Sequence, residues 1–537
     1  MRCAVLFIIA ISVPVATAFA QAPSAQGQAQ VTASTKSDTS PPLTSITPNK
    51  PSLAALSFPR EHIVKLNPKR RRPAGPAALA PADPTLQSAP GPSVAITPGT
   101  NVPGTGDGFT GPQGTFQIGG APPDPVGAVG ETQYVQWVNS SFVIFNKATG
   151  KVVYGPALGN TLWRGFKGAC ETSNDGDPMV QYDKAAKRWV MAQFAVNDPS
   201  GFFQCVAVST TSDATGQYRR FQFKYSDFDD YPKMGVWTDG YYISFNMFQG
   251  NTFLGTKVCV YDRDAMLGKV QRKVTQQCFQ LSPEVFGLLP SDLDGVTPPP
   301  SGAPNYFLTL NNNSLDLWKF QVNWKNPKLT TFGVGTGHAP HVNIPVAPFS
   351  DACGGETCIL QSDTGTLLDS LGERLMYRLA YRNFNDHEAL VVNHSVSTGD
   401  GKAAVRWYEI RSPNGTPTVF QQGTFAPDAN HRWMGSIAMD KAGNIAVAYS
   451  VSGNSMHPAL RYAGRTPSDP LHKLGAELTI IDGTGSQAGI TRWGDYSALT
   501  VDPADDCTMW FTSEHQKDTG KFNWHTQIAS FKFDACH

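Results

Sequence analysis

The chain of 537 residues is 40% hydrophobic and 11% aromatic, enough to bury a large core in one big domain or several small ones. Its 43 basic and 43 acidic side chains cancel, which excludes the cationic footprint of a nucleic-acid binder. After the N-terminal apolar run no segment reaches the ~18 consecutive apolar residues of a membrane-spanning helix, so no membrane span is expected.

The chain starts MRCAVLFIIAISVPVATAFAQA, with a basic start at Arg2, an apolar run from Ala4 to Val15 and small residues at Ala18 and Ala20. This is the pattern of a secretory signal peptide over residues 1–20, and the mature protein is expected to be a soluble monomer, secreted or periplasmic. Residues 21–105 hold 15 of the 41 prolines and a single aromatic, Phe58, so the reading is a disordered Pro-, Ala-, Ser- and Thr-rich linker. Within it, Lys69-Arg70-Arg71-Arg72 is read as a solvated charge run rather than a pro-segment cleavage site.

Beyond Cys3 there are eight cysteines, an even number suited to disulfides in an exported chain. Sequential pairing (Cys170 with Cys205, Cys259 with Cys278, Cys353 with Cys358, Cys507 with Cys536) would staple local units. A zinc site built on CGGETC with His338 and His341 is the weaker alternative, since only one short Cys pair exists.

Residues 106–537 switch to short aromatic and β-branched runs broken by Gly, Asp, Asn and Pro, an all-β signature. One grammar repeats: an apolar strand of about five residues, a polar turn, then a second alternating strand. It occurs from Asp124, Asp177, Tyr231, Gly435 and Gly494, with weaker copies from Asn305 and Arg374. Starts recur roughly every 50 to 70 residues, which predicts a β-propeller of six or seven blades preceded by the disordered Pro-rich segment. A tandem two-sheet sandwich explains the alternation but not the charged or aromatic cluster that opens each hairpin.

If each hairpin begins an inner strand, its leading residues converge on one channel mouth. These are Asp124, Asp175, Asp177, Asp229, Asp230, Lys233, Asp292, Asp294, Arg374, His431, Arg432, Trp433, Arg492, Trp493 and Asp495. Asp177, Asp230 and Asp495 each open a strong repeat and are the candidate catalytic acids and bases, because a carboxyl pair can protonate and hydrolyse a glycosidic bond. Lys233, Arg374, His431, Arg432, Trp433, Arg492, Trp493 and Tyr496 are the candidate ligand-binding residues. Arginines would clamp a sugar carboxylate and indoles would stack on a pyranose. A uronate lyase would use the same arginines with His431 or Tyr231 as base.

The bland reading of any one of these is structural. An Asp at a strand start caps backbone amides, and an Arg-Trp pair packs between blades. The alternative function is a non-catalytic extracellular binding or adhesion module held out on the Pro-rich stalk.

No metal or organic cofactor is required. SNDGDP and SDFDDYP offer oxygen ligands for calcium, without EF-hand spacing. No G-x-S-x-G, H-E-x-x-H, P-loop, Rossmann or C-x-x-C-H motif is present.

The strings LDSLGERLMYRLAYRNFNDHEALVVNHSV, HRWMGSIAMDKAGNIAVAYSVS and TRWGDYSALTVDPADDCTMWFTSEH resemble a group of secreted bacterial sialidase-like β-propellers (BNR type) of unassigned activity. The resemblance spans most of residues 120–535, is strongest in the last third, and implies a propeller with a glycan or other polar extracellular ligand as partner. No Ser-x-Asp-x-Gly-x-x-Trp box is present, so no arginine triad or tyrosine nucleophile is carried over.

Overall fold

The computed structural model describes residues 27–49, 60–61 and 83–537. The expected signal peptide, Cys3 and the basic run at 69–72 lie outside the described residues.

The fold is all-β and propeller-like. Antiparallel sheets follow one another along the chain, each built from a hairpin followed by further strands. The first sheet comprises Val126–Val129, Gln133–Val138, Ser141–Asn146 and Val152–Leu158. The second and third start at Met179–Asp183 and Phe228–Val236. The fourth and fifth start at Leu289–Leu293 and Leu375–Asn383, and these two strands pair in parallel, fusing both units into one ten-stranded sheet. The sixth and seventh start at His431–Met439 and Ala498–Val501.

Each first strand lies beside the next, and the seventh lies beside the first, so the described sheets form a closed ring. Closure leaves the first strands without an exposed edge, the constraint every secreted β protein has to meet. The alternating apolar residues of each strand then fill the spaces between sheets. Trp137, Trp163, Trp189, Trp237, Trp318 and Trp407 are all fully buried there.

The described parts of the Pro-rich segment correct the expectation of disorder. Gln30–Ala33 pairs with Thr275–Gln280 of the third sheet, and Lys36–Thr39 pairs with Tyr218–Tyr225 of the second. Leu86–Gln87 adds to Thr418–Phe425 of the fifth, and Ile96–Pro103 pairs with His525–Phe533 to complete the seventh. Edge strands draw on backbone hydrogen bonds more than on apolar side chains, and an outer edge tolerates Pro98 and Pro103. A low-hydrophobicity composition therefore hides them.

The seam between the last and first sheets is polar. Gln136 accepts from the Thr105 amide (2.7 Å) and donates to Thr512 (2.7 Å) and Thr526 (2.8 Å). Gly104 sits against this knot, where a Cβ would lie 2.4 Å from Thr526 Oγ1 and 2.5 Å from Gln136 Nε2.

Four disulfides join Cys170 to Cys205, Cys259 to Cys278, Cys353 to Cys358 and Cys507 to Cys536, the sequential pairing. Such bonds belong to an oxidising compartment. With Cys353 and Cys358 bonded to each other, the zinc alternative is overturned. His338 and His341 instead bond to the Phe332 carbonyl (2.8 Å) and the Lys319 amide (3.1 Å). No helix among the described residues is long and apolar enough to cross a membrane.

Two outcomes follow from the closure. Gly104→Val should cost about 1–3 kcal/mol by overpacking the seam, read as a lowered calorimetric midpoint with unchanged far-UV dichroism. Replacing Cys170 and Cys205 by Ser should cost about 3–4 kcal/mol and replacing Cys353 and Cys358 about 2, because loop entropy scales with the separations of 35 and 5 residues. Denaturant midpoints falling in the reverse order would contradict this.

Candidate functional site

Six of the seven first strands are entered through a residue in the left-handed backbone region. These are Asp124 (φ 49°), Asp177 (φ 45°), Tyr231 (φ 53°), Gly287 (φ 61°), Met434 (φ 49°) and Asp495 (φ 61°). Aspartate adopts this conformation more readily than most residues, which accounts for three of the six. The sharp turns bring Asp124, Asp177, Tyr231 and Asp495 together at the rim of the ring, while Met434 packs into an apolar cluster with Trp433 and Trp493.

Contacts tie these entries together. The Asp124 amide donates to the Gly494 carbonyl (3.1 Å), joining the first and seventh sheets. The Tyr231 hydroxyl donates to the Asp495 carbonyl (3.3 Å), and the Tyr496 hydroxyl to Asp177 Oδ2 (3.2 Å) and the Pro232 carbonyl (3.1 Å). Lys233 Nζ lies 3.0 Å from the centre of the Tyr231 ring and 3.5 Å from that of Tyr496. The Arg374 guanidinium lies 4.7 Å from the same Tyr231 ring and donates to Glu373. Arg492 donates to Asp495 and faces Asp369 at 3.6 Å.

The site is nearly closed. Lys233 and Arg374 are 1% exposed, Asp495 4% and Asp230 5%, while Asp177, Asp369 and Glu373 are half-buried. Withdrawal from water dominates its electrostatics, because a buried carboxylate without full pairing is costly. Burial, reinforced by the Asp177 charge and opposed by Arg374, pushes Asp230 up to about 8. Burial raises Asp177 to about 6 against the pull of Lys233, and Asp369 to about 6 against that of Arg492. Asp124 is driven well above the carboxylate range by burial and by Asp177 and Asp495. Burial holds the Lys233 ammonium well below the usual lysine range, against the pull of Asp177.

Asp177, Asp230, Asp495, Lys233, Arg374, Arg492 and Tyr496 are thus brought together, with Asp124 and Tyr231. Four expected ligand contacts are not at the mouth. Arg432 is spent on Asp428 and Glu477, and the His431 ring accepts from the Ala403 amide (3.1 Å). Trp433 and Trp493 pack against each other 5.8 Å apart, fully buried with Met434 and Leu371, so neither presents a face to a sugar. The ladder of the sixth sheet shifts register between Trp433 and Ser436, around its entry residue Met434.

Asp175 caps the Val196 and Asn197 amides instead of reaching the mouth. Asp292 and Asp294 pair with Arg378. Beside them, Tyr377 and Gln181 both donate to the Met234 carbonyl, packing the centre of the ring with side chains. Among the described residues no group of three or more His, Cys, Asp or Glu is placed to hold a metal ion.

The sequence reading missed Glu514, Asp369 and Glu373. Glu514, from the second strand of the seventh hairpin, accepts from the Gly494 amide (2.8 Å), is raised well above its usual range by burial, and has a second oxygen that is buried without a partner. Unpartnered buried oxygens also belong to Asp124, Asp495 and Glu373, and one unpartnered nitrogen to Arg374. These atoms mark where a polar ligand or water has something to bind.

Chemically, the arrangement offers proton donors and acceptors of different strength beside fixed cations, the requirement for acid-base work on an anion.

No family model matches the chain, and no curated protein does. Solved structures share its outline at low similarity. A polysaccharide lyase of the PL25 ulvan lyase family is 10% identical over 78% of this chain and 97% of its own, with a TM-score of 0.35. The WD40 domain of SCAP from fission yeast is 9% identical over 83% and 96%, TM-score 0.32. An exo-beta-1,3-galactanase from Clostridium thermocellum is 11% identical over 78% and 92%, TM-score 0.30. At these scores no residue role is carried from them, and the sialidase-like group stays a resemblance.

Proposed function

We propose that the seven antiparallel units are the blades of a seven-bladed β-propeller exported from the cell, and that its mouth binds an acidic saccharide for acid-base cleavage. Asp230 is the general acid, Asp177 the general base, and Arg374 and Arg492 receive the sugar carboxylate. Asp495 positions Arg492.

The observation that carries this reading is the gathering of Asp177 and Asp230 with two arginines and a lysine on one rim, from strands far apart in sequence. Their environments separate the two carboxyls, so near neutrality one holds its proton and the other has lost it. Bond cleavage by hydrolysis or by elimination at a uronate would use the same pair, and the products distinguish them: elimination leaves an ultraviolet-absorbing double bond.

A second reading, a non-catalytic glycan-binding module, is favoured by the internal pairing of Arg492 with Asp495 and Arg374 with Glu373 in a closed site. A polysaccharide depolymerisation screen run beside a glycan array separates the two. Catalysis is expected to release oligosaccharides from wild type, with Asp230→Asn slower by about 10²–10⁴-fold and still bound on the array. Glycan binding without turnover supports the module. Neither activity in wild type, or identical behaviour of Arg492→Ala and wild type in both assays, would sink the mouth as a saccharide site.

Turnover should follow a bell in pH. It rises as Asp177 ionises at about 6 and falls as Asp230 loses its proton at about 8, and Asp230→Asn should remove the alkaline limb.

Stability follows the same groups. Folding lifts Asp230 from an unfolded value near ~4 to about 8, so the native state holds the extra proton in that window and stability falls as pH rises through it. Asp230→Asn should therefore melt above wild type at about pH 8 and lose that advantage near pH ~4. A variant destabilised equally at both pH values would contradict the assignment.

A further inference from the structure

We propose that Lys233 is an amine nucleophile that condenses with the carbonyl carbon of a 2-oxo acid, so that the mouth is also a Schiff-base site. This rests on the reading of the mouth as an anion-receiving site only in assigning Arg374 and Arg492 to the ligand carboxylate.

The geometry around the amine is unusual for a structural lysine. A buried ammonium is normally matched by a carboxylate. Among the described residues no carboxylate oxygen lies within 4.0 Å of Lys233 Nζ, and its hydrogen bond is to the Pro232 carbonyl at 3.3 Å. The amine is held instead between the Tyr231 and Tyr496 rings, at 3.0 and 3.5 Å from their centres. Ring faces receive an N–H from a neutral amine as well as from an ammonium, so the lysine can sit there uncharged.

The charged groups facing it are Asp177, Asp495 and Asp124, which favour its proton, and Arg374, which opposes it together with burial. Burial is the largest of these, and it disfavours the ammonium form of a side chain 1% exposed. Lysines become nucleophiles in this setting, desolvated and beside another cation.

The same cluster supplies the acid. The Lys233 nitrogen pair forms the C–N bond while the carbonyl π pair becomes a hydroxyl, taking its proton from the Asp230 carboxyl. The hydroxyl then leaves as water, taking one proton from the nitrogen. A protonated imine remains beside an Asp230 carboxylate. One carbonyl, one amine and one acid proton become one iminium ion, one water and one carboxylate, with no oxidant or reductant required. The closed mouth excludes the bulk water that would reverse the step.

The test is reductive trapping on the full chain. Glyoxylate with sodium cyanoborohydride should leave a carboxymethyl group on Lys233, located by peptide mass mapping. It should appear sooner than on the exposed Lys187 and Lys269, since a lowered lysine pKa raises the free-amine fraction. Lys233→Arg should abolish that product and Asp230→Asn should slow it.

Propionaldehyde, which lacks the carboxylate, should label Lys233 more slowly than glyoxylate. Equal rates would overturn 2-oxo-acid recognition. A map in which exposed lysines are modified and Lys233 is not overturns the proposal, and wild type alone decides this if Lys233→Arg does not fold. Trapping without saccharide binding would remove the saccharide reading and leave this one. Saccharide cleavage without trapping would do the reverse.

Discussion

The constraint on which the rest depends is ring closure. A ring of sheets places every first strand beside the same axis, so each must be entered from one rim in a very short distance. The chain meets this with a left-handed residue at six of seven entries. Aspartate accepts that conformation at little cost, but Tyr231 and Met434 are less suited to it. Strain of about 1–3 kcal/mol at such residues persists only where the surroundings determine the backbone from several sides. At Tyr231 they do: its hydroxyl bonds to the seventh sheet and its ring contacts both Lys233 and Arg374.

Gathering aspartates for conformational reasons creates an electrostatic problem. Among the described residues, Asp124, Asp177, Asp230, Asp369, Asp495, Glu373 and Glu514 gather around three cations, Lys233, Arg374 and Arg492. Two arginines are used in close pairs with Asp495 and Glu373, which offset part of the cost of desolvating both partners. Burial raises the carboxyls left over, Asp230 to about 8 and Asp124 and Glu514 well above their usual range. The turn aspartates thus crowd Asp230, whose carboxyl, at about 8, holds its proton at neutral pH as a general acid must.

How much of this was legible in the sequence depends on periodicity. The hairpins could be read because strand alternation has period two and the turns carry Asp, Gly and Asn. The D-P pairs at Asp124 and Asp177 marked true entries. HRWMG and RWGDY look alike, yet only the second delivers its charged residues to the mouth. In the sixth sheet the entry residue Met434 directly follows Trp433, with Arg432 paired to Glu477 and Trp433 in the core, whereas in the seventh Gly494 stands between Trp493 and the entry residue Asp495. A one-residue difference in register reverses which side chains face inward, and composition does not report it. Glu514 was invisible for another reason: it is a single acid at the end of the strand MWFTSEH, and its role exists only because Gly494 turns beside it.

The N-terminal strands change the balance between the two functional readings. A free Pro-rich stalk holding the ring away from the cell was the main argument for an adhesion module. The described parts of that segment are instead sheet edges, on the third, second, fifth and seventh units in turn, with Asp83 paired to the buried Arg406 and Asp38 to Arg220. Residues that complete sheets and pair with buried arginines are part of the domain, so their composition is no longer evidence for a spacer. The choice between binding and catalysis then falls on the mouth itself. There, Asp177 and Asp230 differ in proton affinity because they differ in surroundings. A surface that only holds a ligand has no need of that difference, whereas a proton-transferring site depends on it.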